Sequence, residues 1–260
     1  MSLYTLSVNA FADLTTEEFV ATHTGSRPLS RSRSASTGLI STGFKYKNIS
    51  DVPPSMDWRD KGAVTPVKNQ RNCGCCWAFS AVAAVESLHQ IKTRNLISLS
   101  EQELNDCDTN NSGCKGGNAI EAFMFIQKNQ GILTENQYPY KGVDDQCEAL
   151  QGDRVTIDGF ETVPDSEENA LLQAVFRQPV VVHVDSGGIH FYKSGIFNGE
   201  CGTNINHDLT IIGFGTDDDG NNFWLAKNSW GTDWGEKGFI RMIRDKNICG
   251  LVIQPPVYPV

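Results

Sequence analysis

The stretch 70–93 constrains this chain most, because cysteines crowd the start of a long apolar segment. Cys73, Cys75 and Cys76 stand close together, and Trp77 follows directly. Large apolar and small residues then recur at three- and four-residue spacing: Trp77, Ala81, Ala84, Val85, Leu88 and Ile91. This period belongs to an α-helix with one continuous apolar face. The sequence therefore predicts a buried helix that begins at or beside Cys76.

A thiol at such a helix start has a distinctive chemistry. The first backbone N–H groups of a helix lack intrahelical partners, and the macrodipole places its positive end there. Both effects favour the thiolate of Cys76 over the thiol. We therefore expect Cys76 to be a nucleophile.

Charge and hydropathy exclude several kinds of partner. The formal charge is −9 and the pI is near 5.0, whereas binding of nucleic acid requires a basic surface. No segment has the length and hydropathy of a membrane span, and we expect neither a metal site nor a cofactor.

Eight cysteines suggest disulfides and a secretory or vacuolar history. Two glycosylation sequons, at Asn48 and Asn110, agree with that setting, although such triplets are common by chance. The first residues lack the features of a signal peptide, so we expect a chain trimmed at its N-terminus.

The N-terminal region predicts a small module followed by a linker. Thr15 and Glu18 have the spacing of a capping box, and Leu14 with Phe19 has that of a hydrophobic staple. The Ser- and Arg-rich segment 25–42 is too polar to fold alone and is expected to be an exposed, cleavable linker. Packed structure is expected from Val52 onward.

The remaining patterns divide the chain into two halves. Beyond the central helix, Ser100 with Glu103 predicts a capped helix that ends near Cys107, and a further helix is expected over 119–128. The second half predicts strands over 155–160, 180–184, 208–213, 223–228 and 238–244, with one helix over 165–178 capped by Asp165. We expect an α+β fold with a helical lobe, a β-rich lobe and a cleft between them.

A histidine near a predicted hairpin is the best candidate for a base. The turn 217–220 separates two apolar runs. If these runs form a hairpin around the turn, the numbers of the two residues in each pair sum to about 435. His207 then lies beside Asn228, whose amide oxygen can accept a hydrogen bond from the ring N–H without itself ionising. Trp230 and Trp234 follow closely and are expected to shield this pair from water.

Three blocks together resemble the papain-like cysteine proteases. The first block consists of the runs 66–70 and 73–80. The second is the pair Asn206 and His207, and the third is the triplet that starts at Asn228; they follow in the family's order. The resemblance covers roughly residues 7–252. It implies a two-lobed papain-like fold, with Cys76 as nucleophile, His207 as general base and then acid, Asn228 as the residue that orients it, and Gln70 with the Cys76 N–H as the oxyanion hole.

The resemblance also implies three disulfides, Cys73–Cys114, Cys107–Cys147 and Cys201–Cys249. Cys75 and Cys76 then stay unpaired, and Cys75 stands where the family commonly carries serine. A disulfide between these neighbours would abolish catalysis, but the planar peptide makes it costly, so we prefer a spare thiol at Cys75.

Substrate contacts carried over from the family involve ten positions. Two are the glycines that let a peptide lie extended, and most of the others form the wall for the side chain that precedes the cleaved residue (P2): Gly116, Gly117, Asn118, Ala119, His183, Ile205, Asn206, Asp208, Trp230 and Gln254. That wall is unusually polar, so we expect a weak preference for bulky apolar side chains. His183 is either an ordinary structural residue or a partner of Asp208. Asp208 either perturbs the titration of the catalytic pair or is occupied by His183.

The N-terminal module resembles the family's inhibitory propeptide. Asn9, Phe11 and Asp13 match its Gly-Xaa-Asn-Xaa-Phe-Xaa-Asp motif, with Ser7 in place of glycine, and the long helix that normally precedes the motif is not expected here. We predict a truncated propeptide and linker over 1–51 and a mature protease over 52–260. Its helical lobe is expected at about 61–161 and its β-rich lobe at about 162–255.

The predicted function is a cysteine endopeptidase made as a proenzyme, since no extra loop that would occlude the cleft is seen. The alternative is a catalytically weak homologue with a storage or binding role. Expected partners are peptide and protein substrates, the chain's own propeptide and cystatin-like inhibitors. We expect a monomer in a vacuolar, lysosomal or secreted setting.

Overall fold

The computed structural model describes residues 2–28, 44–164 and 166–260. Within them lie five α-helices: α1 Thr16–His23, α2 Cys76–Thr93, α3 Glu101–Cys107, α4 Ala119–Lys128 and α5 Glu168–Arg177. The nine strands are β1 Tyr4–Leu6, β2 Met56–Asp57, β3 Phe160–Thr162, β4 Val180–Val184, β5 Tyr192–Phe197, β6 His207–Thr216, β7 Asn222–Lys227, β8 Phe239–Ile243 and β9 Val257–Pro259. Positions 29–42 of the predicted linker and the predicted cap at Asp165 lie outside the described residues.

The helices follow their sequence signals closely. Thr15 and Glu18 form a complete capping box before α1, and α2 begins at Cys76 as predicted. The box before α3 is only half formed, because the Ser100 hydroxyl accepts from the Glu103 N–H while the Glu103 carboxylate binds Arg154 and the Leu133 N–H. The helix predicted over 165–178 is shorter and starts at Glu168.

The strands form one open sheet in the order β1-β5-β8-β7-β6-β4-β9-β3, and β2 pairs with β6. All pairs are antiparallel except β5 with β8. The strand predicted over 155–160 is wrong: Val155 makes only an isolated bridge to Ile132, and β3 begins at Phe160. The N–H groups of Asp158 and Gly159 bond instead to the carbonyl of Val260.

The predicted hairpin exists, but its register is shifted from the prediction. Thr210 pairs with Lys227 and Thr216 with Asn222, and an irregularity between Ile211 and Gly213 accounts for one residue of the shift. A bulge inserts an unpaired residue into one strand, and sequence spacing does not reveal it.

The core has a helical part and a β-rich part, as expected for a two-lobed α+β fold. Helix α2 packs with α4 in one apolar cluster, and β6, β7 and α5 contribute to a second. Helix α2 is covered on nearly all sides, since 14 of its residues are buried, rather than on one apolar face. Small residues such as Ala81 and Ala84 permit this close packing on every side.

Candidate functional site

Four predicted site residues meet where the lobes join. Cys76 is the first residue of α2, His207 is the first of β6, and Asn228 follows the end of β7. Gln70 lies in the loop before α2. All four side chains are buried. Asn228 bonds to His207, Ser229 bonds to both Asn228 and Gln70, and the Cys76 thiol is hydrogen-bonded to the backbone of Asp208, the residue after His207. These contacts bring the predicted group together.

The hydrogen bonds of Asn228 determine which nitrogen of His207 carries hydrogen. The backbone N–H of Ser229 donates to Asn228 Oδ1 over 2.8 Å, which identifies this atom as the oxygen of the amide. His207 Nε2 lies 2.8 Å from the same oxygen and therefore must be the donor. In a neutral ring, Nδ1 then carries the lone pair, and it has no hydrogen-bond partner among the described residues.

Indole rings cover this pair as the sequence predicts. Trp230 stacks on His207 with centroids 4.4 Å apart, and Trp234 meets Trp230 edge to face at 5.0 Å. Both rings are buried. Trp230 covers one face of the imidazole and excludes water from it, and Trp234 packs against Trp230.

Gln70 is fixed by several hydrogen bonds. Its backbone N–H donates to the Ser229 carbonyl over 2.8 Å, and its Oε1 accepts from the Ser229 hydroxyl over 2.6 Å. Its Nε2 donates to the Cys73 carbonyl over 2.8 Å and to the His23 carbonyl over 3.2 Å. The side-chain amide is therefore a donor with a fixed position.

The N-terminal segment lies in the cleft between the lobes. The N–H groups of Gly25 and Ser26 both donate to the Asn206 carbonyl over 2.9 Å. On the other side, the Gly117 N–H donates to the Gly25 carbonyl over 2.8 Å and the Arg27 N–H to the Gly117 carbonyl over 2.7 Å. Residues 25–27 are thus bound to both lobes, so the predicted exposed linker is wrong at Gly25 and Ser26.

Glycine is required on both sides of this contact. A Cβ on Gly117 would come within 2.7 Å of the Trp77 ring, and a Cβ on Gly25 would come within 1.9 Å of the Gly74 carbonyl oxygen. No side chain fits at these distances. An extended peptide therefore lies directly against the backbone here.

Comparisons with known proteins point to one family. The family profile described as "Papain family cysteine protease" matches residues 52–260. The senescence-specific cysteine protease SAG39 of Oryza sativa subsp. indica is 49% identical, over 98% of this chain and 76% of that protein. Vignain of Phaseolus vulgaris is 48% identical, over 99% of this chain and 73% of that protein.

A solved structure extends the similarity to the N-terminal segment. The proform of the Amb a 11 cysteine protease, a major ragweed pollen allergen, has a TM-score of 0.91 and 41% identity, and covers 100% of this chain and 82% of that one. The chain belongs to the papain family of cysteine proteases. It is therefore a hydrolase, a cysteine endopeptidase of the papain type like its plant relatives.

In this papain-family protease the thiol and the imidazole are both kept neutral by burial. Burial raises the pKa of the Cys76 thiol well above its ordinary value, and the carboxylate of Asp208 raises it further. Burial also lowers the pKa of His207 to about 4, although its hydrogen bond to Asn228 opposes this. The expected thiolate is therefore not favoured in this state, because desolvation outweighs the helix start.

The polar subsite residues are brought together in part. His183 Nδ1 lies 2.6 Å from Asp208 Oδ1, and the Ser26 hydroxyl is 3.5 Å from the same nitrogen. Asn118 caps α4 with its Oδ1 and donates from Nδ2 to the Arg27 carbonyl over 2.8 Å.

The other subsite positions contribute less. Ala119 is fully buried in the helical core. Ile205 lies against Gly250, where an added Cβ would come within 3.0 Å of its Cδ1. In the described part of the chain, no hydrogen bond joins Gln254 to the other subsite residues.

The disulfides pair as the resemblance implies: Cys73–Cys114, Cys107–Cys147 and Cys201–Cys249. Cys75 and Cys76 are free and buried. The sequon residues Asn48 and Asn110 are exposed. Over the described ranges, no cluster of potential metal ligands occurs and no helix is long and apolar enough to span a membrane.

Two residues at this site were missed by the sequence analysis. Ser229 contacts both Asn228 and Gln70, and its place directly after Asn228 was the available signal. Tyr140 lies between Cys75 and Gln70. Since Tyr140 is distant in sequence from both, no local pattern identifies it.

Proposed function

We propose that this protease cleaves peptide bonds with Cys76 as nucleophile, His207 as general base and then general acid, and Asn228 as the residue that orients the ring. The observation that carries the proposal is the orientation of His207, whose Nδ1 is left to accept a proton. The backbone of Asp208, the next residue, also forms a hydrogen bond that favours the Cys76 thiolate.

The reaction follows from these groups. Proton transfer from Sγ to Nδ1 gives a thiolate that attacks the scissile carbonyl carbon and forms a C–S bond. The His207 imidazolium then protonates the leaving amine as the C–N bond breaks, which leaves a thioester. His207 next deprotonates a water molecule, which attacks the thioester, releases the acid and restores the thiol.

Gln70 Nε2 and the Cys76 N–H are proposed to stabilise the negative oxygen that develops during attack. The support is the contact of His23, whose carbonyl oxygen accepts from Gln70 Nε2 over 3.2 Å and from Trp230 Nε1 over 3.0 Å. A peptide carbonyl therefore already binds at this donor in the closed chain.

We further propose that residues 1–51 act as a propeptide and residues 52–260 as the mature enzyme. The segment 23–27 lies along Gln70, Gly117 and Asn206, the positions that a substrate would need. Its departure would admit water and substrate to the cleft. The desolvation that keeps Cys76 and His207 neutral would then fall, and the thiolate–imidazolium pair would form.

The subsite for the P2 side chain is proposed to be polar, with His183 and Asp208 at its base. Both are almost fully buried, and Asp208 Oδ2 has no hydrogen-bond partner in the described part of the chain. A bulky apolar side chain would leave this oxygen unsatisfied, whereas a hydroxyl or a cation would bind it. A setting in the vacuole, the lysosome or outside the cell, a monomeric state and inhibition by cystatin-like proteins complete the proposal.

Titration with the epoxide inhibitor E-64 tests the catalytic assignment. The matured full chain should lose all peptidase activity when one inhibitor molecule per chain is bound, and Cys76→Ala should bind none and hydrolyse nothing. Cys75→Ala is the matched control and should still bind one equivalent. Labelling of Cys75 instead, or activity in Cys76→Ala, would show the assignment to be wrong, and absence of both activity and labelling would favour the storage or binding role.

A further inference from the structure

The hydroxyl of Tyr140 lies between the spare cysteine and the oxyanion-hole residue. Its oxygen is 3.0 Å from Cys75 Sγ and 2.7 Å from the backbone carbonyl oxygen of Gln70. The ring packs edge to face on Phe79 with centroids 4.9 Å apart, and the Tyr140 N–H donates to Glu135 over 2.9 Å. The ring and the backbone of Tyr140 are therefore both held in place, which fixes the position of its hydroxyl.

Hydrogen counting fixes the direction of these bonds. A tyrosine hydroxyl has one hydrogen, and a backbone carbonyl only accepts. The Tyr140 hydrogen must therefore go to Gln70, so the Cys75 thiol must donate its hydrogen to the Tyr140 oxygen. Burial raises the pKa of the Cys75 thiol, which agrees with a protonated donor.

This chain of bonds adds an anchor that the other contacts of Gln70 do not supply. Ser229 binds the backbone N–H and Oε1 of Gln70 from the β-rich side. Tyr140 binds its carbonyl from the helical side. Together they hold the backbone N–H and the backbone carbonyl of Gln70, and so fix the backbone that carries its side-chain amide.

We propose that Cys75 and Tyr140 are positioning residues of the oxyanion hole, acting through a thiol–hydroxyl–carbonyl chain that fixes Gln70. The inference rests on the proposed role of Gln70. It also gives Cys75 a role: its thiol donates a hydrogen bond to the Tyr140 oxygen and does not compete with Cys76 as a nucleophile. A serine at this position would supply the same donor through its hydroxyl.

Steady-state kinetics of the matured full chain test the proposal. Tyr140→Phe should lower kcat about fivefold with KM within twofold, as expected for one lost hydrogen bond that acts in the transition state. Cys75→Ala should lower kcat less, and Cys75→Ser should recover most of that loss. Tyr138→Phe is the matched control, because the Tyr138 hydroxyl binds Asp106 and not Gln70.

A double-mutant cycle separates positioning from general stability. Once Gln70 is replaced by alanine, the chain has nothing left to position, so Gln70→Ala/Tyr140→Phe should be no slower than Gln70→Ala. A further fivefold loss in the double variant, or unchanged kcat in Tyr140→Phe, would overturn the proposal.

Infrared spectroscopy gives a readout that needs no activity. In the full-chain Cys76→Ala variant, the S–H stretch of Cys75 should lie at the low frequency of a hydrogen-bonded donor and should rise when Tyr140→Phe is added. An S–H band that Tyr140→Phe leaves in place would overturn the inference even for an active enzyme. A band that shifts as expected, together with a matured native chain that does not hydrolyse peptides, would keep the hydrogen-bond chain and reject the proposed function instead.

Discussion

His183 Nδ1 lies 2.6 Å from Asp208 Oδ1, and both side chains are buried. The two residues face each other across β4 and β6, directly beside His207. The two options left open by the sequence are therefore not exclusive. Asp208 pairs with His183, and its carboxylate also raises the pKa of both Cys76 and His207.

Replacing Asp208 by asparagine should move the pH–rate profile to lower pH. Without the negative charge, the pKa of Cys76 falls, so the acid limb of kcat/KM shifts down. The pKa of His207 falls as well, so the alkaline limb shifts in the same direction. Asp218→Asn removes the same charge in the exposed β6–β7 turn and is the control. A profile of Asp208→Asn that overlays that of Asp218→Asn would contradict the prediction.

The side-chain preference at P2 should follow the same pair. A P2-varied peptide library should show little discrimination in favour of Leu or Phe by the native enzyme. The variant His183→Val/Asp208→Ala removes the buried charge and creates an apolar wall, so kcat/KM for Leu or Phe at P2 should rise about tenfold or more. A strong native preference for Leu or Phe would show that the polar wall does not set specificity.

Much of this site was predictable because its signals are local. The helix that starts at Cys76 follows from apolar spacing, and the pairing of His207 with Asn228 follows from two runs around one turn. The predicted contact between His207 and Asn228 was correct, although the predicted register of the β6–β7 hairpin was not. Asn228 lies beyond the last paired residue of β7 and bonds through its side chain.

The rest depends on contacts between distant parts of the chain. The strand Tyr192–Phe197 was missed because it is partly polar and contains Gly195 at φ +92°. The neutral state of Cys76 was missed because its cause is burial, which a helix-start argument does not include. Residues 25–27 were taken as linker because their composition says nothing about the two lobes that bind them.

Docking of the N-terminal segment should depend on Phe19. This ring is 1% exposed and packs on Trp230 with centroids 5.2 Å apart. Truncation of a buried Phe to Ala costs about 3–5 kcal/mol. In the uncleaved chain, Phe19→Ala should therefore speed the reaction of Cys76 with E-64 at least about tenfold. Glu17→Ala changes an exposed position of the same helix and should leave the rate unchanged, and equal rates for the two variants would contradict the prediction.

In the uncleaved chain, His207 should titrate near pH 4, far below an ordinary histidine. Burial disfavours the imidazolium, so the folded chain binds this proton less readily than the unfolded chain does. The contribution of His207 to the free energy of unfolding is therefore fully present above about pH 6.5 and is lost as the pH falls toward 4. NMR titration of the ring protons, assigned by comparison with His207→Gln, measures the midpoint. A midpoint at 6 or above would show that burial does not control this residue.

Asn228→Ala should impair catalysis through the orientation of His207. The Nε2 hydrogen would lose its acceptor, so the ring could rotate and change tautomer, and we expect kcat to fall about 10- to 100-fold with little change in KM. In the native chain this hydrogen bond raises the pKa of His207. Its loss therefore lowers that pKa, and the alkaline limb of the profile should move to lower pH. Asn222→Ala, at the far end of β7, is the matched control. A rate loss without that shift in the alkaline limb would indicate a role in folding rather than in orienting His207.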